Sequence, residues 1–184
     1  NYGVAEVLRE LAAALRPLGV NVSVYSSDPS ADGGELPGGV PCAHGPLPPP
    51  GAWMIRSNDL ALQRIQRFAD EQGVELIHAH GIYRPGHAAR LLKRRTGLPY
   101  VLTSHGDLLD NDRLRRRLVR RRYRTILRDA EAITHLSSLM ADAAHRLLDV
   151  REKGTLIPNG LDQSWWEAAE RVGGGYVLAI GRLV

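Results

Sequence analysis

Short apolar segments alternate with amphipathic ones along nearly the whole chain, and this alternation constrains the fold more than any other feature. Val4, Val7, Leu8, Leu11 and Leu15 recur at helical spacing, and Gly19 stops the pattern. Strict alternation over 20–25 then predicts a strand, as do the apolar runs 74–80, 100–103, 132–136, 155–157 and 176–180. Helices are expected between them: from an Asn58 cap to Gly73, over 85–95, 112–128 and 138–148, and briefly around Trp165-Trp166. Apolar strands separated by amphipathic helices specify an α/β class, a doubly wound, Rossmann-like parallel sheet covered on both faces. A βαβ unit puts a strand ahead of each helix, so a chain opening on a helix is expected to be missing its first strand, upstream of Asn1.

One stretch breaks the alternation. Residues 28–51 hold seven prolines and six glycines, which predicts a loop without helix or central strand, extended by its flank to 28–57. Gly173-Gly174-Gly175 reads as a flexible hinge. Residues 1–171 are therefore expected to form one domain, with 172–184 as the hinge and first strand of a truncated second domain.

With 43% hydrophobic and 24% charged residues, the chain has the make-up of a soluble globular protein. No apolar run approaches the ~18 residues that cross a bilayer, and no charged-then-apolar leader follows Asn1, so neither a membrane-spanning protein nor a secretory precursor is expected. A single cysteine, Cys42, excludes an internal disulfide and suits a cytoplasmic, reducing setting. The net charge of +4 conceals a strong asymmetry. Nine arginines and no acidic residue fall between Arg113 and Arg128, leaving a net −5 over the rest of the chain. Leu114, Leu118, Val119, Tyr123, Ile126 and Leu127 form an apolar stripe through this segment, so a solvated helix packed on the sheet is the first reading. Attraction to an anionic membrane surface is the second, which makes the inner face of the membrane the alternative location. Nucleic acid comes third, since no aromatic platform interleaves the arginines.

Ligands of doubly wound sheets bind beyond the carboxyl ends of the strands. Polar groups collect at those ends here: Asn1-Tyr2-Gly3 before the first helix, His80-Gly81, Ser104-His105-Gly106-Asp107, Ser137-Ser138 and Gly181-Arg182. Gly3 stands where a helix N-terminus could receive a phosphate, although a tight turn would equally require glycine. His105, followed by a glycine, has an uncrowded ring; its structural alternative is a bond to a neighbouring loop carbonyl. His78 and His80 share a strand face and could join His105 and Asp107 around a metal. Strand histidines more often pack or hydrogen-bond, so no metal is expected.

These motifs resemble retaining glycosyltransferases of family 4, which have the two-domain GT-B fold. The helix from Ala5 running into Gly-Val-Asn-Val-Ser-Val-Tyr25 is similar to that family's opening. Glu75–Gly81 resembles its D-V-I-H-A-H-G strand, Pro99–Gly106 its P-Y-V-x-T-x-H-G strand, and Leu156–Asp162 its V-I-P-N-G-V-D segment. Val177–Val184 resembles the strand that opens the second domain. One departure is Tyr2, where the family has a second glycine.

The resemblance implies transfer of a sugar from a nucleotide-sugar substrate to a sugar, lipid-linked or other acceptor, without a further cofactor. It implies that Gly3 faces the donor phosphates, that His105 bonds the donor sugar near the reacting carbon, and that Arg182 neutralises the departing diphosphate. Asn159 falls in its donor-side segment, while His80, Gly81, Gly106, Asp107 and Ser137 would form the acceptor side or rim. The lysine and paired glutamates of the family's second domain have no counterpart in the sequence up to Val184, so the 184 residues are expected to be an acceptor-side domain that does not catalyse alone. Two other classes remain open: a basic membrane- or nucleic-acid-binding module, and a metal-dependent hydrolase using His78, His80 and His105.

Overall fold

A computed structural model describes residues 2–27, 34–36, 38–49, 55–109 and 112–160. The Trp165-Trp166 helix, the Gly173–Gly175 hinge, the 176–180 strand and Arg182 lie outside the described residues.

The chain enters through α1 (Tyr2–Leu15), which tightens into a 3-10 turn at Arg16–Leu18 and stops at Gly19, whose φ of 80° suits the residue without a Cβ. Strands β1 (Val24–Ser26), β2 (Gly34–Leu36) and β3 (Val40–His44) form a small sheet in the order β1-β3-β2. Helix α2 (Ile55–Glu71) leads to β4 (Ile77–His80), α3 (Arg84–Thr96) and β5 (Tyr100–Ser104). Then come α4 (Arg117–Asp129), β6 (Ala132–His135), α5 (Ser138–Leu147) and β7 (Gly154–Leu156). These last four strands make an all-parallel sheet in chain order, β4-β5-β6-β7, joined by helices as the alternation predicts. Among the described residues no helix is long and apolar enough to cross a membrane.

The Pro/Gly-rich stretch corrects the sequence reading. It is not one loop over 28–57: it contains β2 and β3, and β3 is the central strand of its sheet, parallel to β1 and antiparallel to β2. Val40 and Cys42 are buried while Pro41 and Ala43 are only half-buried, so a period-two pattern was present beneath the prolines. Gly38 and Gly39, with φ of 85° and 70°, close the hairpin, and Gly39 N–H donates to Leu36 O at 3.1 Å. Pro41 supplies no donor to the ladder, and burial of its neighbours holds the strand in place. Cys42 is buried there, which raises its thiol pKa and leaves it protonated.

Other differences are of boundary. The strand expected over 20–25 begins only at Val24, and that expected over 74–80 only at Ile77. Helix α2 starts upstream of Asn58, which sits within its first turn instead of capping it. The basic helix is two pieces: a 3-10 turn at Asp112–Arg115 and α4, separated by extended backbone at Arg116 (φ −78°, ψ 118°).

The main core lies under α3, α4 and α5. Alternate residues of β5 divide the sheet's faces. Tyr100, Leu102 and Ser104 point toward α3 and α4, where the Tyr100 hydroxyl donates to Ile126 O at 2.6 Å. Ile133 and His135, in register with Leu102 and Ser104, continue this face to α5, where His135 meets the His145 ring edge-on at 6.1 Å. Between α3 and α4 the rings of Tyr83 and Tyr123 stack at 5.0 Å. Helix α3 comes this close because Gly86 faces the sheet. A methyl group there would stand 2.8 Å from Ile126 Cγ2 and 3.0 Å from Leu102 Cδ2. Replacing Gly86 by valine is therefore expected to destabilise the domain by about 3 kcal/mol, despite valine's better helix propensity. Urea unfolding checks this; a midpoint equal to the wild type's would show that α3 is free to move outward.

Candidate functional site

Two glycines let the chain leave the sheet at adjacent strand ends. Gly81 after β4 has φ 106° and Gly106 after β5 has φ 93°, values that side-chain-bearing residues rarely adopt. Gly81 N–H donates to Thr103 O at 2.9 Å, extending the ladder by one bond before the turn. Asp107 then ties the two turns together, its Oδ2 accepting from Ile82 N–H at 3.2 Å. A side chain on Gly81 would meet Pro85 at 3.4 Å and Asp107 Oδ1 at 3.6 Å, so the turns leave little room between them.

Onto this frame the register places the histidines. His80 pairs with Thr103 across β4 and β5, which sets its ring beside that of His105, two residues further on. His80 Nδ1 and His105 Nε2 share a hydrogen bond of 3.0 Å, and the rings stack with centroids 5.2 Å apart. On the same face, His78 Nε2 bonds Thr103 Oγ1 at 2.7 Å, and Thr103 Oγ1 bonds Thr134 Oγ1 at 2.5 Å. His78 and His80 also contact ring to ring at 4.2 Å.

Burial keeps all three rings neutral. Desolvation, helped by its histidine neighbours, pushes the His80 pKa down to about 3. His78 is lowered by burial and by His105. His105 is lowered by burial too, against the opposing pull of Asp107. A neutral imidazole has one donor and one acceptor nitrogen. If His80 Nδ1–H donates, His105 Nε2 is the acceptor and His105 carries its proton on Nδ1; in the other tautomer the roles reverse. Either way His80 Nε2 is buried with no partner among the described residues. The pair therefore places an uncharged hydrogen-bonding nitrogen, His105 Nδ1, at the carboxyl ends of the strands, chemistry matched to hydroxyl groups.

The same geometry bears on metal binding. A tetrahedral zinc would hold two nitrogen ligands about 3.4 Å apart, whereas His80 Nδ1 and His105 Nε2 stand at direct hydrogen-bond distance, 3.0 Å. Among the described residues no three His, Cys, Asp or Glu side chains are grouped so as to hold an ion.

Of the residues singled out in the sequence, His78, His80, Gly81, His105, Gly106 and Asp107 come together. Ser137 stands at the end of the next strand as the N-cap of α5, its Oγ accepting from Met140 N–H at 3.3 Å. Gly3 falls in the first turn of α1, where N–H groups lack intrahelical acceptors; the hydrogen-bonded group does not include it. Asn159 is exposed beyond β7. Ser104 belongs to the interior instead of the rim: it is fully buried beside His135. The Ser104 hydroxyl, both His135 nitrogens and His145 Nδ1 have no partner among the described residues. Sequence reasoning missed Thr103 and Thr134, which anchor His78, and Met140, whose Cε stands 3.9 Å from where a Cβ on Gly106 would be. The alternation within β5 and β6 was the available signal for the threonines.

Residues 2–160 match the family model described as a Glycosyl transferase 4-like domain. The chain belongs to that family. The match covers every described element from α1 to β7, and it agrees with the resemblance carried by the motifs at 75–81 and 99–106. No curated protein matches the chain. As a glycosyltransferase domain, the protein serves transfer of a sugar from a donor to an acceptor. Neither a scaffold for a basic module nor a metal-dependent hydrolase is favoured by this membership.

Proposed function

We propose that the protein transfers a sugar from a nucleotide-sugar to an acceptor hydroxyl with retention of anomeric configuration, at the rim above β4 and β5. The observation that carries this reading is the neutral His80–His105 pair at adjacent strand ends of a family 4-like domain. His105 contacts the donor sugar near its anomeric carbon. His80 fixes the tilt and tautomer of the His105 ring, and Asp107 fixes the turn that carries it. Gly81 and Gly106 keep the approach to the rings open, and the Ser137 hydroxyl, already engaged as a cap, borders the acceptor side.

The acceptor oxygen replaces the diphosphate oxygen at the anomeric carbon and its proton passes to the departing nucleoside diphosphate, on which negative charge grows as the old bond breaks. Fixed positive dipoles and cations must meet that charge. The first turn of α1 at Gly3 and the guanidinium of Arg182 are assigned to it, with Asn159 on the donor side. A neutral histidine suits the sugar subsite, because it bonds hydroxyls without attracting the departing anion. No cofactor beyond the nucleotide-sugar is required by this scheme. The natural protein containing this sequence, given a panel of nucleotide-sugars and sugar or lipid-linked acceptors, is expected to release nucleoside diphosphate only when a matching acceptor is present. Silence across the panel, or hydrolysis independent of any acceptor, would overturn the reading.

A further inference from the structure

Helix α4 has two opposite faces with unlike tasks. Tyr123, Ile126 and Leu127 are buried in the core, which commits its apolar face to the sheet. Arg117, Arg121, Arg124 and Arg128 recur at intervals of four, three and four, placing them on one outward ridge about 16 Å long. All four are exposed, as is Arg120 beside them. Among the described residues none of these five guanidinium groups has a carboxylate within 4.0 Å. Like charges at these spacings repel, and no ion pair among the described residues relieves them.

We propose that this ridge docks the domain onto an anionic lipid surface. Charge complementarity favours a bilayer, because a straight, convex row of cations matches a flat anionic surface. Leu118 adds an apolar element, 70% exposed on the flank of the ridge, where the interfacial region of a bilayer can receive it. A single-stranded nucleic acid partner would instead call for aromatic platforms, and Tyr123, the one aromatic residue of α4, is buried against Tyr83. The topology gives the docking a consequence. Strands β5 and β6 are parallel, so α4 runs back from the rim end of β5, and Arg117 is the ridge residue nearest the rim. Docking thus holds the rim close to an acceptor carried in the same membrane; this last step rests on the proposed transfer, whereas the docking does not.

The test is vesicle co-sedimentation of the natural protein, with phosphatidylcholine vesicles and with phosphatidylcholine–phosphatidylglycerol mixtures. Binding is expected only to the anionic vesicles, and it should collapse as salt rises from about 0.1 to 0.5 M. Replacing Arg117, Arg121, Arg124 and Arg128 together by glutamine should weaken it about a hundredfold or more. Replacing the same four by lysine should retain most of it, because a bilayer reads charge and not the guanidinium fork; this second variant also guards against a folding defect. Leu118→Ser should cost severalfold. Equal binding to uncharged vesicles, or unchanged binding by the glutamine variant, would overturn the proposal. So would tighter binding of an RNA or DNA oligonucleotide that the glutamine variant loses. If anionic vesicles bind as expected but no nucleotide-sugar is turned over, the docking stands and the transfer reading falls.

Discussion

Substituting His105 by alanine in the natural protein is expected to lower the rate constant for sugar transfer by about 10²–10³-fold, the usual loss when one donor aimed at the transition state is removed. The ring stands at the open end of β5 and, among the described residues, hydrogen-bonds only its partner rim histidine at 3.0 Å, so the fold should survive. Replacing His80 by alanine should cost less, because His80 acts through His105: the His105 ring is left free to rotate, and the rate falls without His105 being lost. A His80→Asn variant, which retains a hydrogen-bonding group on a shorter side chain, should recover part of that loss. Initial rates with saturating donor, set beside thermal unfolding of each variant, measure both effects. Unchanged transfer in His105→Ala would remove the histidine from the reaction.

Acid sensitivity is the second large effect. His80 is held at a pKa of about 3 and His87 at about 4, the latter by burial and by the guanidinium groups of Arg122 and Arg90. His78, His105 and His135 are lowered in the same direction by burial. A histidine whose folded pKa is depressed stays neutral in the fold while the unfolded chain takes up a proton below about 6.5. Stability is then fully present above that value and is lost as the pH falls toward the folded pKa. Each fully withheld proton steepens the loss by up to about 1.4 kcal/mol per pH unit, and solvent at the partly exposed rings reduces this. Urea midpoints are thus expected to be flat from about pH 8 to 7 and to fall steeply between about 6 and 4. His87→Gln, which leaves the hydrogen-bonded His80–His105 pair in place, should flatten that fall by up to one proton's worth. A midpoint constant down to about pH 4 would contradict the buried-neutral assignment.

What the sequence revealed, and what it hid, follows from the range of the interactions involved. The parallel sheet was legible because β4, β5 and β6 are short apolar runs bounded by glycine, proline or charged helices, and each signal is local. The strand-end histidines were legible for the same reason, since Gly81 and Gly106 mark where the chain must turn. Their pairing was not, because His80 and His105 are 25 residues apart and meet only through the register that aligns His80 with Thr103. Ser104 was assigned to the rim because β5 was expected to end at Thr103; the strand runs one residue further, and alternation turns the hydroxyl inward beside His135. The hairpin of β2 and β3 was hidden by composition. Prolines and glycines dominated the reading of 28–51, while the buried Val40 and Cys42 decided the outcome.

Sugar transfer at the histidine rim is tested most directly by the anomeric configuration of the product. Proton NMR of the glycoside formed by the natural protein, read from the coupling between the first two ring protons, is expected to show the same anomer as the nucleotide-sugar donor. An inverted anomer would contradict the account.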